Sequence, residues 1–353
     1  MRPDMGGRLR VLRAGRGATI QDGGRRFYLR YGVTPAGPMD WVAFRTANSA
    51  LGNDDRAAAI EVPVAGLETI CEGAPLALAF AGGAFAWRRE GELLPIAARL
   101  LLRPGEVLAA RAGDSGAFAY LAVEGGFDTP VVMGSRATHM RSAMGGIEGR
   151  TLRAGDVLPA ASTGRLDGAS IEAIIDAPWL ACALDPFRVV LGPQDDYFAP
   201  ETLSEFFAGA FTLTPMADRM AYRFDGPEIA HVRGYDIVSD GTALGAIQIA
   251  GDKKPLVLMA DRQPTGGYPK LGHVVRADIG RLAQMRPGEN CCFRAASVAE
   301  ARAALFARED EIATAVARLR PLRRALSSET LFAANLIGGV VDPLASARTG
   351  GES

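Results

Sequence analysis

Short apolar runs bounded by glycine, proline or aspartate recur along this chain. β-Favouring residues fill positions 76–80, 118–123, 188–191, 247–249 and 255–259. Runs of this length that end in turn-forming residues are typical of strands. The pattern therefore predicts a mainly β protein, built as a barrel or a sandwich.

One tight-turn pattern occurs three times, each time before a predicted strand. Arg-Pro-Gly-Glu stands at residues 103–106 and 286–289, and Arg-Ala-Gly-Asp stands at residues 153–156. Proline presets φ at the second position of such a turn, and glycine accepts a positive φ at the third. Similar residues precede the first and last copies, which indicates either two related β units in tandem or the chance recurrence of a short motif.

A few segments have the spacing and end signals of helices. Residues 39–51 begin near an aspartate and end at Gly-Asn, and residues 200–207 open with proline and glutamate. Residues 297–319 begin with a Ser-x-x-Glu capping box and predict a peripheral helix on the last β unit. A shorter helix is predicted at residues 327–336.

Composition and charge exclude several classes of protein. With 353 residues the chain is long enough for two domains. Its 39 basic and 40 acidic side chains give a net charge of -1, which argues against a nucleic-acid partner. The longest apolar run, residues 74–87, is too short to span a membrane. The basic N-terminal residues are not followed by the apolar core of a signal peptide. A cytoplasmic protein is therefore expected. Scattered cysteines and isolated histidines predict no metal site.

The strongest candidate site is the polar segment at residues 260–270, which follows an apolar strand. Arg262, Lys270 and the hydroxyl of Tyr268 could converge on a planar anion beside the backbone N–H groups of a glycine-rich loop. The alternative is structural: a buried pair of Asp261 and Arg262 pins the loop, and the glycines serve backbone conformation alone.

Two other loops are weaker candidates for anion binding. Residues 31–40 run into a predicted helix N-terminus, where backbone N–H groups favour anions, but Asp40 could simply cap that helix. A loop of small residues carries Arg136, and a lone loop arginine is usually solvated. The chain has no phosphate loop, dinucleotide fingerprint or nucleophile elbow, so any ATP is expected to be bound with or by another polypeptide.

Several segments, in order, resemble the biotin-dependent carboxyltransferase family. That family includes the C-type component of bacterial 5-oxoprolinase, the second component of allophanate hydrolase type proteins, and half of the carboxyltransferase domain of urea amidolyases. The resemblance covers roughly residues 8–295. It is carried by AGRGATIQDGGRRFYLRYGVTPAGPMD (14–40), GND with AAAIE (52–61), YLAVEGGFDTPVVMGSRAT (120–138), GPQDDYF (192–198), DRMAYRF (218–224), and SDGTALGAIQIAG through LMADRQPTGGYPKLGHV (239–274).

The resemblance implies a fold of two tandem cyclophilin-like β-barrel units with a few short helices and a C-terminal helix. The first unit would occupy residues 1–185 and the second residues 186–295. A helical extension would follow at residues 296–353.

The resemblance also implies an activity and its partners. The first expectation is the C-type component of an ATP-dependent 5-oxoprolinase, which acts with A-type and B-type subunits to open 5-oxo-L-proline to L-glutamate. A second is a carboxyltransferase component acting on urea or a related amide, with biotin supplied on a separate carrier protein because the chain has no Met-Lys-Met attachment motif. A third is a non-catalytic antagonist that binds a B-type partner regulating a sensor kinase.

Both reactions hold an amide while negative charge grows on its oxygen, which requires fixed N–H donors and cations. The implied catalytic residues are Arg262, Lys270, Tyr268 and Asp261, with Asp261 orienting Arg262. The implied substrate-binding residues are Gln248, Thr265, Gly266, Gly267, Arg136, Asp40 and Glu61. Glu61 follows an apolar run and is as well suited to be a structural acceptor as a base.

Overall fold

The computed structural model describes residues 6–161, 171–180 and 186–322, and within these ranges the chain is mainly β. Its strands are β1 (Arg8–Ala14), β2 (Thr19–Gln21), β3 (Ala59–Pro63), β4 (Leu67–Glu72), β5 (Leu76–Gly82), β6 (Phe85–Arg89), β7 (Glu92–Leu93), β8 (Ala98–Leu102), β9 (Val107–Ala112), β10 (Phe118–Val123), β11 (Val157–Pro159), β12 (Ala173–Ile174), β13 (Phe187–Leu191), β14 (Ala210–Ala217), β15 (Ala221–Asp225), β16 (Asp240–Gly241), β17 (Ala246–Ile249), β18 (Pro255–Leu258), β19 (Thr265–Gly266), β20 (Lys270–Val274), β21 (Asn290–Ala295) and β22 (Arg320–Pro321). Its α-helices are α1 (Trp41–Ala50), α2 (Pro200–Ala208), α3 (Arg276–Ala283) and α4 (Val298–Ala317). The predicted fold class is confirmed.

Two sheets pack together in the first half of the chain. One has the strand order β11-β1-β4-β9-β6-β7, and the residues of β4 alternate between buried and half-buried. The other has the order β2-β3-β10-β5-β8-β12-β22, and every residue of β5 is buried. Phe80 of the second sheet stacks on Trp87 of the first, with ring centroids 4.3 Å apart. The sheets therefore share a core, as in a sandwich.

Helix α1 covers the other face of the second sheet, which explains why β5 is buried on both sides. Asp40 caps the helix by accepting hydrogen bonds from the backbone N–H groups of Val42 and Ala43 at 3.0 and 3.1 Å. Phe44 meets Tyr120 edge to face at 5.9 Å. The small side chains that let the helix approach the sheet are Ala77, Ala79, Ala81 and Ala122.

The second half of the chain forms a closed barrel with the strand order β13-β20-β17-β18-β15-β14-β21. Its closing contact is the parallel pairing of β13 with β21, in which Phe187 lies opposite Phe293. Phe293 sits among other rings of the core, with Phe206 stacked on it at 5.1 Å and Phe224 edge-on at 5.8 Å. Aromatic packing at these distances stabilises the barrel beyond the burial of its area.

All three predicted turns are confirmed. Gly105, Gly155 and Gly288 have φ of 90°, 92° and 92°, the left-handed region that favours glycine. In each copy the backbone N–H of the acidic residue donates to the carbonyl of the arginine at 2.9 to 3.1 Å. The turns lead into β9, β11 and β21.

Helix α3 was not predicted from the sequence, because it lacks a side-chain cap and carries Gly280 in its middle. A Cβ on Gly280 would lie 2.4 Å from Oδ1 of Asp40, so the glycine lets α3 approach the start of α1. Just after the helix, Nε2 of Gln284 donates to Oδ2 of Asp40 at 2.7 Å. The helix is therefore specified by tertiary packing rather than by its own pattern.

The capping box predicted for the last described helix is confirmed. Oγ of Ser297 accepts from the backbone N–H of Glu300 at 3.1 Å, and the Glu300 carboxylate accepts from the backbone N–H of Ser297 at 2.7 Å. Helix α4 packs on α1, where Glu309 forms an ion pair with Arg45 at 3.0 Å. The helix predicted at residues 200–207 is also present, as α2.

Replacing Ser297 by alanine is expected to lower the free energy of unfolding by about 1 kcal/mol, because an N-terminal donor of α4 loses its acceptor. Urea denaturation measures the change. Ser204→Ala is the matched control, since Ser204 lies exposed within α2 and, among the described residues, its hydroxyl bonds only to the carbonyl of Pro200. Equal effects of the two substitutions would contradict a capping role.

The two sheets and the barrel follow one another along the chain, with β22 returning to the second sheet. The domain boundaries at residues 185 and 295 stay predictions. The helix predicted at residues 327–336 lies outside the described residues. Within the described part of the chain, no helix combines the length and apolar character needed to cross a membrane.

Candidate functional site

Lys270 and Gln248, both predicted site residues, lie directly opposite each other on β20 and β17. Their neighbours Leu271 and Ile247 belong to the barrel core. Because side chains alternate along a strand, Lys270 and Gln248 project from the outer wall of the barrel. The ribbon formed by β16 and β19 pairs Asp240 with Gly266.

Lys270 is held beneath this ribbon. The residue is only 1% exposed, and its Nζ donates to Oδ2 of Asp240 at 2.8 Å. The hydrogen bond from Lys270, with that from the backbone N–H of Gly241, lowers the pKa of the Asp240 carboxyl. The ammonium group is therefore fixed in place by an ion pair whose acidic partner faces solvent.

Gln248 is fully buried beside the lysine. Its Oε1 accepts a hydrogen bond from Nε2 of Gln263 at 3.3 Å, while its own Nε2 has no acceptor among the described residues. The backbone of Gly266 passes close to that Nε2, since a Cβ at this position would lie 2.4 Å from it. We call the group Asp240, Gln248, Gln263, Gly266 and Lys270 the lysine cluster.

Asp261 does not orient Arg262, which corrects the expectation from the sequence. The carboxylate of Asp261 instead accepts two hydrogen bonds from Arg219, from Nε at 2.9 Å and from Nη2 at 2.8 Å. Arg262 is buried, its Nε points to the carbonyl of Thr242 at 3.4 Å, and burial lowers its pKa to about 10. The buried pair that pins this loop is therefore Asp261 with Arg219.

Arg219 also joins the barrel to the first half of the chain. Its Nη1 forms a hydrogen bond with the fully buried Glu61, and its Nη2 donates to the carbonyl of Gly37 at 2.7 Å. Although burial disfavours the charged form, Asp261 and Glu61 raise the pKa of the guanidinium. Glu61 accepts further bonds from the backbone N–H of Met39 at 2.9 Å and the hydroxyl of Tyr120 at 2.7 Å, so it is a structural acceptor.

A cleft of about 250 Å³ opens beside the Arg219–Asp261 pair. We refer to it simply as the cleft. It is lined by Gly17, Pro63, Phe118, Met140, Arg141, Asp218, Arg219, Met220 and Asp261. Sequence reasoning named only Asp261 of this set, although Arg219 stands in one of the matched segments, DRMAYRF.

The remaining predicted residues are spread over several places. Thr265 is exposed beside the lysine cluster, and Tyr268 is 39% exposed. The carbonyl of Gly267 accepts a hydrogen bond from the N–H of Ile237 at 2.9 Å. Arg136 forms an ion pair with Asp128 at 2.9 Å, and no contact links it to the cleft or to the lysine cluster among the described residues.

Comparison with known proteins identifies the family of the chain. Residues 31–295 match the family model of the carboxyltransferase domain, subdomains A and B. The chain belongs to this carboxyltransferase family. The resemblance found in the sequence is thereby confirmed.

Relatives in the carboxyltransferase family match along most of this chain. The C-type 5-oxoprolinase component of Haemophilus influenzae is 35% identical over 299 residues, which is 84% of this chain and 93% of that protein. The C-type 5-oxoprolinase component of Escherichia coli is 33% identical over 303 residues, or 86% of this chain and 95% of that protein.

A crystal structure from the same family confirms the fold. The K. lactis urea amidolyase superposes with a TM-score of 0.80 and 28% identity, covering 92% of this chain. The chain spans only 20% of the length of that protein.

Proposed function

We propose that this chain is the C-type component of an ATP-dependent 5-oxoprolinase and acts with A-type and B-type subunits to open 5-oxo-L-proline to L-glutamate. The proposal rests on how much of each relative's length this chain covers. It aligns with 93% and 95% of two proteins of that name, but with only 20% of a urea amidolyase. ATP would be bound with or by the partner subunits, and the assembly would be cytoplasmic.

The lysine cluster supports the chemistry of this reaction. Opening a lactam places negative charge on the amide oxygen, and fixed donors in a site shielded from water stabilise that charge. The ammonium of Lys270 and Nε2 of Gln248, which has no acceptor among the described residues, would supply a cation and an N–H donor side by side. The glycine-rich segment at residues 260–270 carries the other residues proposed for the site, namely Arg262, Thr265, Gly266, Gly267 and Tyr268.

A reconstitution experiment tests the proposal. The chain is purified alone and together with its A-type and B-type subunits, and glutamate release from 5-oxo-L-proline is measured with and without ATP. Glutamate is expected only from the complete mixture with ATP. A complete, assembled mixture that releases none would refute the proposal.

Carboxyl transfer to urea or a related amide is the second candidate, favoured by the TM-score of 0.80 to the urea amidolyase. Biotin would then arrive on a separate carrier protein. This reaction would be blocked by avidin, whereas 5-oxoproline opening would not, so avidin sensitivity of the reconstituted activity separates the two.

A further inference from the structure

Within the described part of the chain, the lining of the cleft includes one cationic group without a partner. Arg141 is exposed and lines the cleft, and among the described residues its guanidinium has no hydrogen bond or ion pair. Arg219, also in the lining, is different because Glu61, Asp261 and a backbone carbonyl already occupy it. Arg141 is therefore the cation that remains available to a ligand.

The turn that carries Arg141 is held in a defined shape. Nδ1 of His139 lies 3.0 Å from Oγ of Ser142, and the backbone N–H of His139 donates to the carbonyl of Met144 at 2.8 Å. Ala143 has a φ of 45°, in the region that side chains rarely adopt. Strained conformations of this kind persist where the surroundings fix them, so the backbone that carries Arg141 is held beside the cleft.

A carboxylate stands in the lining on a separate turn. Oδ1 of Asp218 accepts from the backbone N–H groups of Met220 and Ala221 at 2.7 and 3.1 Å. Among the described residues both hydrogen bonds of this carboxylate are accepted by Oδ1, which leaves Oδ2 available to a ligand N–H. The cleft thus combines a guanidinium that can bind a carboxylate with an oxygen that can accept from an N–H.

Positive charge is concentrated behind the Arg141 turn. Burial lowers the pKa of His139, and although Asp261 opposes the change, the charges of Arg25, Arg219 and Arg141 lower it further. Nη1 of the fully buried Arg25 has no acceptor among the described residues. The arginines around the Arg141 turn therefore favour an anion on this side of the cleft.

Apart from Asp261, which is paired with Arg219, the rest of the lining is apolar. Pro63, Phe118, Met140 and Met220 would cover a small aliphatic ring. The volume of about 250 Å³ lies just below the roughly 300 Å³ at which pockets for drug-sized ligands begin, so the occupant is small.

From this arrangement we infer that the cleft is a binding site for a small carboxylic acid that carries an N–H group, with the carboxylate on Arg141 and the N–H toward Asp218. The inference rests on the proposed function for its choice of acid, since substrate and product of that reaction, 5-oxo-L-proline and L-glutamate, share this chemistry. The lining of the cleft includes no member of the lysine cluster, so this is a binding site separate from the residues proposed for the chemistry, and it is tested apart from turnover.

Binding is measured by calorimetry on the full chain, alone and assembled with its A-type and B-type subunits. The probes are 5-oxo-L-proline, L-glutamate and 2-pyrrolidinone, which has the ring and N–H but no carboxylate. At least one of the two acids is expected to bind, and the one that binds identifies the occupant. Arg141→Gln is expected to raise its Kd by about 10- to 100-fold, the cost of a lost charge-assisted hydrogen bond.

Arg111→Gln is the matched control, because Arg111 is an exposed arginine on β9 outside the cleft. It should leave the Kd unchanged, and Arg141→Lys should recover part of the affinity. Labelling of the unaltered chain with phenylglyoxal gives a second measurement: the acid that binds should protect Arg141, and 2-pyrrolidinone should not.

Three results would each overturn the inference. The first is that neither acid binds to the chain or its assembly. The second is that an acid binds with the same Kd to Arg141→Gln, and the third is that 2-pyrrolidinone protects Arg141 as well as the acid does. Glutamate release can succeed or fail independently of either result, so the proposed function and this site are judged separately.

Discussion

Replacing Arg219 by methionine is expected to lower the free energy of unfolding by about 3 to 5 kcal/mol. The guanidinium is buried between Asp261 and Glu61, which receive its hydrogen bonds. Methionine preserves much of the side-chain volume but leaves two buried carboxylates without their cation. Thermal unfolding should show a fall in Tm of about 5 to 10 °C.

Arg223→Met is the control for Arg219→Met. Arg223 lies nearby on β15 and pairs with Asp252, but both side chains are about one-third exposed. An exposed ion pair contributes about 0 to 1 kcal/mol, so this substitution should cost far less. Adding Asp261→Asn to Arg219→Met should restore part of the lost stability, because one of the orphaned charges is removed. Equal losses for Arg219→Met and Arg223→Met would show that burial of the pair does not matter.

Replacing Lys270 by methionine is expected to lower kcat of the assembled 5-oxoprolinase by about 100- to 1,000-fold, the usual effect of removing one donor to a developing oxyanion. The ammonium is fixed beside Gln248 and has a solvent-facing carboxylate partner, Asp240. Glutamate release with ATP measures the change, and co-purification of the subunits measures assembly, which should persist.

Lys253→Met is the control for Lys270→Met, since Lys253 forms an exposed ion pair with Glu228. It should leave both glutamate release and assembly intact. If Lys270→Met releases glutamate at the normal rate, the lysine cluster has no part in the chemistry. If Lys270→Met instead prevents assembly, the surface serves partner binding, as expected of an antagonist.

Local signals in the sequence were sufficient for much of the fold. The capping box at Ser297 and the three turns at Gly105, Gly155 and Gly288 depend on contacts within four residues, which a sequence displays directly. Helix α3 could not be found in this way. Its Gly280 lowers helix propensity and is required because Asp40 and Val42, far away in the chain, pack against it.

The candidate site shows the same division between local and distant contacts. Adjacency suggested that Asp261 pairs with Arg262, but the partner is Arg219, 42 residues away, and Glu61 lies 158 residues from that arginine. A charge pair inside a fold is set by strand register, which no short motif encodes. Lys270 ends the glycine-rich loop, but Gln248 lies on β17, one strand before the strand that leads into that loop, and only the pairing of β17 with β20 brings the two together. Their role as site residues stays a prediction.

The parallel pairing of β13 with β21 sets a constraint on biosynthesis. Strand β21 hydrogen-bonds to both β13 and β14, so it is the seam that closes the barrel. Until the ribosome has released residues 290–295, the nascent chain has two strand edges without a partner, and such edges readily pair with other chains. A prematurely terminated product that stops before this seam would therefore be prone to aggregate, and chaperone capture during translation would be most useful over that interval.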